Sequence, residues 1–360
     1  MKNLLFIAGI LLLLVPASLR GQGCSEASSD EGVKVWGYLQ PEFGMKFEDK
    51  NQASFGFRRM RIGVMGNIPY DFSYYVMLET SQFLNPDRSG AFLLDGFITY
   101  SRFRDFKISV GSFKNQFGRE LIMPCHALYT IQRSKFVDEL TSNINGGNRD
   151  IGLAIMGGND TTLLTYTVTL TNGTGNLQID NNNLFDTYAL SGRMTIQPVR
   201  GLYLGVSARY GENPPTAEGV EQQDTKIRYG FDAQYSVGNF TLLGEYIHGS
   251  DEGSYTEGGG CGGDPVTKTG TNNANGFYVM GVYRFPFNLE PVYKFESYNT
   301  AKDDGGDVPT IADNTSYYQT FGLNYYPNDW TRIQANYVYR AERPTETNND
   351  CFILQLQVKF

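Results

Sequence analysis

The chain has 360 residues, with 38 acidic and 30 basic side chains and a formal net charge of −8. This acidic balance argues against a nucleic-acid partner, because proteins that bind nucleic acids carry basic surfaces. Gly (41), Tyr (24) and Phe (24) are abundant. Strands favour aromatic residues and turns use glycine, so the composition favours a fold rich in β-structure.

The N-terminus has the layout of a secretory signal peptide, which we predict over residues 1–22. Lys2 precedes the apolar stretch 4–15, and the small residues Ala17 and Ser18 follow it. The apolar stretch is too short to be a stable membrane-spanning helix. The sequence therefore predicts an exported protein.

The residues after the signal peptide allow two interpretations. Cleavage before residue 23 would leave 23–32 as a short N-terminal periplasmic segment. A lipoprotein would instead be acylated at Cys24, but residues 20–23 lack the aliphatic side chain expected there. Beyond this point no run approaches the roughly 20 apolar residues of a membrane-spanning helix. Any membrane insertion must therefore use strands.

The main signal in the rest of the chain is alternation of apolar and polar residues with a period of two. In segment 350–360 one face carries only apolar side chains: Phe352, Leu354, Leu356, Val358 and Phe360. The same alternation recurs in 54–68, 224–237 and 330–341. This pattern is typical of strands with one face in lipid and the other in water.

About sixteen strand-like segments can be placed along the chain. We predict strands at 33–47, 54–68, 70–81, 90–101, 105–114, 149–157, 161–171, 184–197, 201–211, 224–237, 239–248, 275–285, 289–299, 315–326, 330–341 and 350–360. An even number of this size is typical of outer-membrane barrels.

The connections between these strands are short and long in turn. Tight turns such as 237–239 alternate with long polar stretches at 171–183, 211–223, 249–274 and 301–314. Outer-membrane barrels have short periplasmic turns and long extracellular loops. We therefore predict an all-β fold, a closed antiparallel transmembrane β-barrel that spans residues 33–360.

One connection, residues 115–148, is too irregular for a strand pair yet retains several apolar side chains. A long loop with apolar residues of its own usually packs on something. Two arrangements are open. The loop folds into the barrel and constricts it, or it forms a compact cap outside.

Three short segments resemble motifs of the phosphate-selective porin O and P family. They are 57–66 (FRRMRIGVMG), 108–118 (ISVGSFKNQFG) and 131–134 (IQRS). A terminal aromatic residue, here Phe360, is also similar to what the barrel-assembly machinery recognises. The motifs cover the first 150 residues or so, and the remainder resembles the family in architecture.

The resemblance implies a sixteen-stranded barrel, a homotrimer, a lumen lined by basic residues and an inward-folded loop. By matching motifs, the lumen arginines correspond to Arg59 and Arg61, and the loop signature to Lys114 and Arg133. Members selective for phosphate rely on many basic residues. The acidic balance of this chain departs from that pattern and argues against phosphate specificity, whereas an excess of basic over acidic side chains on the predicted inner face favours a mild preference for anions.

Alternation also predicts which charges point inward. The pore-lining or anion-contacting candidates are Arg59, Arg61, Lys107, Arg193, Lys226, Arg228 and Arg332 from the alternation, together with Lys114 and Arg133 from the resemblance. The inward acids are Glu42, Glu79, Asp95, Asp150, Asp232, Glu245, Glu290 and Glu296. Rings of charge in a narrow pore set ion preference. For each single residue the alternative is an ion pair across the lumen that only satisfies its partner.

We predict an outer-membrane porin of a Gram-negative bacterium, a water-filled diffusion channel for small hydrophilic solutes. Inorganic anions, phosphate among them, are candidate solutes, and the partners are outer-membrane lipid and the solutes themselves. Two other functions stay open. The barrel could bind an extracellular partner through its loops, or it could be a structural barrel with a blocked lumen.

Catalytic and metal chemistry has little support in the sequence. His248 and Ser250 have the spacing of an outer-membrane phospholipase, but no other motif of such an enzyme is evident. His126 lies beside Cys125 without a second His or a paired Cys nearby. We therefore expect no enzyme activity, no cofactor and no metal site.

Overall fold

A computed structural model of the chain describes residues 32–48, 50–68, 70–84, 90–103, 105–142, 148–159, 161–175, 187–213, 224–257, 266–303 and 314–360. Of these, 254–257, 266–269, 301–303 and 314 are described by their backbone alone. The expected signal peptide, residues 1–22, and nearly all of the segment 23–32 lie outside the described residues.

Sixteen antiparallel strands form one closed barrel. They are β1 (Lys34–Phe47), β2 (Gln52–Ile68), β3 (Phe72–Glu79), β4 (Phe92–Phe103), β5 (Phe106–Lys114), β6 (Arg149–Gly157), β7 (Leu164–Thr171), β8 (Tyr188–Val199), β9 (Leu202–Asn213), β10 (Asp224–Val237), β11 (Phe240–Glu257), β12 (Val266–Tyr283), β13 (Leu289–Asp303), β14 (Asn314–Tyr325), β15 (Thr331–Arg343) and β16 (Asp350–Lys359). The predicted fold is confirmed.

Each strand pairs with its neighbours in the sequence, and β1 pairs with β16 to close the ring. At this seam Gly37 and Phe360 exchange backbone hydrogen bonds of 2.9 and 3.0 Å. A short helix, α1 (Lys135–Thr141), and a 3-10 helix (Ser81–Leu84) lie in connections. In the part of the chain that the structure describes, neither helix is long and apolar enough to cross a membrane.

The strands form where the alternation predicts them. In β10, Ile227, Tyr229 and Phe231 point outward and are 42–55% exposed, whereas Asp232 and Gln234 point inward and are buried. An apolar outer face facing lipid and a paired backbone satisfy both requirements of a membrane-spanning strand.

Strands β11 and β12 are longer than predicted. The expected loop 249–274 is wrong over most of its length, because the two strands stay paired from Phe240↔Tyr283 to Glu257↔Val266. Alternation fails there because water can meet both faces of a strand that extends beyond the lipid. Backbone pairing continues regardless, since it does not depend on side-chain polarity.

The connections also show one departure from the strict alternation of lengths. The connection between β1 and β2 spans only residues 48–51, although it lies on the same rim as the long loops. On the opposite rim the turns are short. Between β10 and β11 the pair Val237↔Phe240 leaves a two-residue turn, in which Gly238 has a φ of +55°. A positive φ suits glycine, which has no Cβ to clash.

The interior of the barrel contains an apolar core as well as polar side chains. Phe117, Leu121 and Phe136 of the β5–β6 connection pack on Leu243 and Ile247 of the inner wall. All five are at most 2% exposed. Alternation predicts polar side chains at such inward positions, and here that prediction is wrong. Apolar side chains can face the interior here because the β5–β6 connection packs on them and shields them from water.

A second interior cluster lies on strands β3–β6. Tyr75, Met77, Phe97 and Phe113 pack together, and the rings of Tyr75 and Phe97 stack at 5.2 Å between centroids. The inner face of this part of the wall is therefore also apolar. The barrel wall thus carries apolar side chains on its inner face as well as on its lipid-facing outer face.

Candidate functional site

Residues 115–142 of the β5–β6 connection lie inside the barrel, and inward side chains of the wall bind their backbone. Arg332 Nη1 donates to the carbonyl of Leu128 at 2.9 Å, and Asn324 Nδ2 donates to that of Tyr129 at 2.9 Å. These wall residues belong to β14 and β15. The loop (residues 115–142, with Asn148 at its far end) is therefore held by the wall rather than covering the barrel from outside.

The first part of the loop binds a different section of wall. The amide of Gly118 donates to Ser207 Oγ at 3.0 Å. The amides of Arg119 and Glu120 donate to the two carboxylate oxygens of Glu245, each at 2.8 Å. The loop thus reaches from β9–β11 on one section of the ring to β14–β15 on another.

Helix α1 continues these attachments. The amide of Lys135 donates to Glu296 at 2.9 Å, and Arg228 Nε donates to the carbonyl of Leu140 at 2.8 Å. Phe136 packs so closely on Gly276 that a Cβ there would lie 2.3 Å from the ring. The helix is docked on strands β10, β12 and β13 by charge and by close packing.

Four of the nine predicted lining residues converge around Cys125 in the loop. We call Arg59, Arg61, Lys114 and Arg133 the cationic cluster. Arg61 Nη1 and Arg133 Nη2 lie 3.3 and 3.2 Å from the sulfur of Cys125. These two guanidinium groups therefore meet at one thiol.

The other two members of the cationic cluster lie beside this pair. Lys114 Nζ and Arg133 Nη2 share the carbonyl of Met123, at 3.2 and 3.3 Å. Arg59 Nη1 donates to Gln40 Oε1 at 3.0 Å. Strands β2 and β5 and the loop thus bring four basic side chains to one region of the interior.

The cationic cluster changes the chemistry of the loop cysteine. Burial alone would raise the pKa of the Cys125 thiol, but Arg133, Arg59, Arg61 and Lys114 outweigh it and hold the pKa well below its usual value. The four basic neighbours therefore favour the ionised form of this thiol. Next to it, burial and the charge of nearby Lys359 lower the pKa of His126 to about 4, so this imidazole is neutral.

One carboxylate, Glu79, balances part of the positive charge of the cationic cluster. Glu79 Oε2 lies 2.8 Å from Arg61 Nε, and Tyr38 OH lies 2.7 Å from Arg61 Nη1. Farther along the wall, Arg149 Nε and Nη2 bind the two oxygens of Asp95 at 3.0 and 3.2 Å. Arg149 is thus satisfied by its own acid, and Glu79 is the carboxylate in direct contact with the cationic cluster.

The structure does not bring the remaining five predicted residues into the cationic cluster. Arg193 pairs with Asp232 through two contacts of 2.5 and 3.0 Å. Arg228 Nη2 lies 2.9 Å from Asp251 Oδ2. Arg332 divides its donors between the loop and Gln357 Oε1, the latter at 3.0 Å. These three arginines hold the wall and the loop together.

Lys107 and Lys226 lie toward opposite ends of the barrel, and both are half-buried. Lys107 is near the start of β5 at the rim of short turns, and Lys226 is near the start of β10 at the rim of long loops. In the strand register Lys226 stands opposite Asp251. The two lysines thus lie near the two openings of the barrel and not at mid-height, where the loop is bound.

Several important residues were not among the predicted lining set. Alternation placed Glu245 on the inner wall as one acid among eight, but its role in binding the loop requires knowing the loop's path. Tyr38 and Gln40 of β1 could have been found by extending the alternation into 33–47. Gly118 was part of the recognised motif, although its contact with Glu245 was not foreseen.

The comparisons agree with this architecture. The model of the family described as phosphate-selective porin O and P matches residues 34–360. No curated protein sequence matches the chain significantly.

Among solved structures, an anion-selective porin from Comamonas acidovorans has a TM-score of 0.68 at 11% identity, covering 91% of this chain and 99% of that one. OmpT of Vibrio cholerae, in a trimer form, has a TM-score of 0.63 at 12% identity, covering 91% and 99%. The outer-membrane channel DcaP of Acinetobacter baumannii has 0.62 at 13%, covering 92% and 99%. At these identities the similarity shows a shared fold.

A family match over nearly the whole barrel, together with a closed ring of sixteen strands, leaves one assignment. The chain belongs to the phosphate-selective porin O and P family and is a diffusion channel of the outer membrane.

Proposed function

We propose that this channel prefers anions mildly and passes small hydrophilic solutes, with inorganic anions such as phosphate among them. The observation that carries the proposal is the cationic cluster. Its four basic side chains outnumber the two acidic groups in direct contact, Glu79 and the Cys125 thiol. Charges in a partly dry, narrow passage act on ions more strongly than they would in water.

The preference is mild because much of the donor capacity is already used. Arg61 binds Glu79, Tyr38 and the sulfur of Cys125, and Arg133 binds two loop carbonyls and the same sulfur. Tight phosphate binding would need guanidinium groups free for bidentate contacts. A net positive region with engaged donors attracts anions without holding them.

Two comparisons support the proposal without deciding it. The family carries the description phosphate-selective, and the Comamonas acidovorans porin of the same fold is described as anion-selective. We also propose that the loop, as part of the connection 115–148, narrows the passage. The wall contacts on β9–β11 and on β14–β15 support this role.

Export and assembly complete the proposal. Residues 1–22 are removed as a signal peptide, 23–32 stay in the periplasm, and 33–360 form the barrel. The channel works as a homotrimer in outer-membrane lipid. The trimer form of OmpT from Vibrio cholerae, which shares the fold, supports this assembly.

The decisive experiment is the reversal potential of the purified protein in a planar bilayer under a salt gradient. Regular ohmic current steps separate a channel from a blocked barrel or a loop-binding receptor. We expect wild type to prefer anions and the double variant Arg59→Ala, Arg61→Ala to lose that preference. The charge-matched control is Arg102→Ala with Arg200→Ala, both exposed at the rim of short turns.

Cation preference in wild type would contradict the proposed selectivity. An unchanged reversal potential in the Arg59, Arg61 double variant would remove the cationic cluster as its source. A shift of equal size in the control would show that total charge, rather than position, determines the preference.

A further inference from the structure

We infer, on the basis of the function proposed above, that Glu245 is the positioning residue of the constriction loop and so sets the width of the channel. Glu245 is 3% exposed and sits on the inner face of β11. Its two oxygens accept the amides of Arg119 and Glu120 at 2.8 Å each. Both partners are backbone groups, so the carboxylate fixes the path of the loop rather than one of its side chains.

A carboxylate is the group that this contact requires. Ionised Glu has two acceptor oxygens and no donor, which matches two adjacent N–H groups. A glutamine at position 245 would accept one amide and present its own N–H₂ to the other. One of the two attachments would therefore be lost.

Gly118, just before the two amides, is shaped for the same contact. Its φ of +66° lies in the left-handed region that favours glycine. A Cβ at this position would lie 2.2 Å from Glu245 Oε1, far inside contact distance. The absence of a side chain at residue 118 lets the carboxylate approach the loop backbone.

Neighbouring wall residues also bind segment 117–120. Ser207 Oγ accepts the amide of Gly118, and Gln234 accepts from the Arg119 side chain. Phe117 packs on Gly230, where a Cβ would lie 3.3 Å from the ring. Segment 117–120 is thus held on β9, β10 and β11 around one buried carboxylate.

Glu120 links Glu245 to the cationic cluster. While the amide of Glu120 is bound by Glu245, its carbonyl accepts Arg133 Nε at 3.1 Å. Its side chain accepts the amide of Ser134 at 2.8 Å and lies 3.5 Å from Lys294 Nζ. Glu245 therefore positions both halves of the loop, and through Glu120 it positions Arg133.

The test is single-channel conductance of Glu245→Gln in a planar bilayer, with reversal potential recorded in the same membranes. We expect conductance to rise by roughly twofold or more, since the narrowest section limits ion flow, and anion preference to fall as Arg133 loses its position. The matched control is Glu42→Gln. Glu42 also faces inward, but it contacts the wall residues Arg58 and Gln355. Its conductance should stay near wild type.

Gly118→Ala tests the same contact from the loop side and leaves every wall residue in place. It should raise conductance in the same direction, and it decides the question if Glu245→Gln does not assemble. Heat-dependent migration on denaturing gels verifies that each variant is a folded barrel.

Wild-type conductance in folded Glu245→Gln and Gly118→Ala would overturn the inference, and so would an equal rise in Glu42→Gln. A wild-type channel without anion preference is a separate result. It would contradict the proposed function while leaving the role of Glu245 in channel width to be judged by conductance alone.

Discussion

Replacing Asp232 by Asn is expected to destabilise the barrel strongly, because the Arg193 guanidinium would stay buried without its counter-charge. The two side chains are 7% and 1% exposed. Arg193 reaches both carboxylate oxygens, with Nη1 at 2.5 Å and Nη2 at 3.0 Å. This geometry is the bidentate arrangement in which arginine binds a carboxylate most strongly.

The size of the effect follows from what remains after the substitution. Removing one partner of a buried ion pair costs about 3–5 kcal/mol. Arg193 keeps its hydrogen bond to Ser207 Oγ at 3.1 Å, and the new amide oxygen can accept one further bond. We therefore expect a loss near the lower end, about 3 kcal/mol of unfolding free energy.

The assay is equilibrium urea unfolding of the barrel in lipid vesicles, followed by the fluorescence of Trp36 and Trp330. The control is Glu42→Gln, which breaks the more open contact of 3.6 Å with Arg58 and should cost less than about 1 kcal/mol. The double variant Asp232→Asn, Arg193→Gln should recover part of the loss, because no unpaired charge stays buried. A loss below 1 kcal/mol in the single variant, or a double variant less stable than it, would refute the reasoning.

Two further outcomes are expected. Cys125 should show the ultraviolet absorbance of a thiolate at neutral pH; Cys125→Ser should remove this absorbance, and Arg133→Gln should shift its appearance to higher pH. Because the pKa of Cys125 is lower in the folded than in the unfolded protein, the thiolate contributes fully to stability above the unfolded pKa. This contribution is lost as the pH falls through the folded pKa. A thiolate signal unaffected by Arg133→Gln would contradict this. Phe136→Ala should lower the unfolding free energy by about 3–5 kcal/mol in urea titrations, because Phe136 is fully buried. Phe83 is 61% exposed, so Phe83→Ala should change the unfolding free energy little. Equal losses in the two variants would contradict the apolar core inside the barrel.

The barrel itself was largely predictable, because a membrane imposes one rule on every strand. In β10 the predicted bounds 224–237 coincide with the strand, and Asp232 faces inward as the alternation requires. The rule stops where the lipid stops. Residues 249–257 looked like a loop since both faces there are polar, yet backbone pairing continues to Glu257.

The interior was less predictable, since it depends on contacts between distant parts of the chain. Alternation places Glu245 inward but cannot show that its partner is the amide of Arg119, 126 residues away in the sequence. Likewise Arg193 and Arg228 were expected to line a passage, and their pairing with acids on other parts of the wall required the register. Arg59 and Arg61 were expected from both the alternation and the motif, and they do lie in the cationic cluster.

The apolar contacts between the loop and the wall have a consequence for the order of assembly. Phe117 and Leu121 follow strand β5, whereas their partners Leu243 and Ile247 belong to β11. Early strands can pair with their sequence neighbours without β11, but until β11 has joined the ring the loop has no wall residues to pack against at this site. The apolar interior around the loop should therefore form late in assembly, when the second half of the ring closes around it.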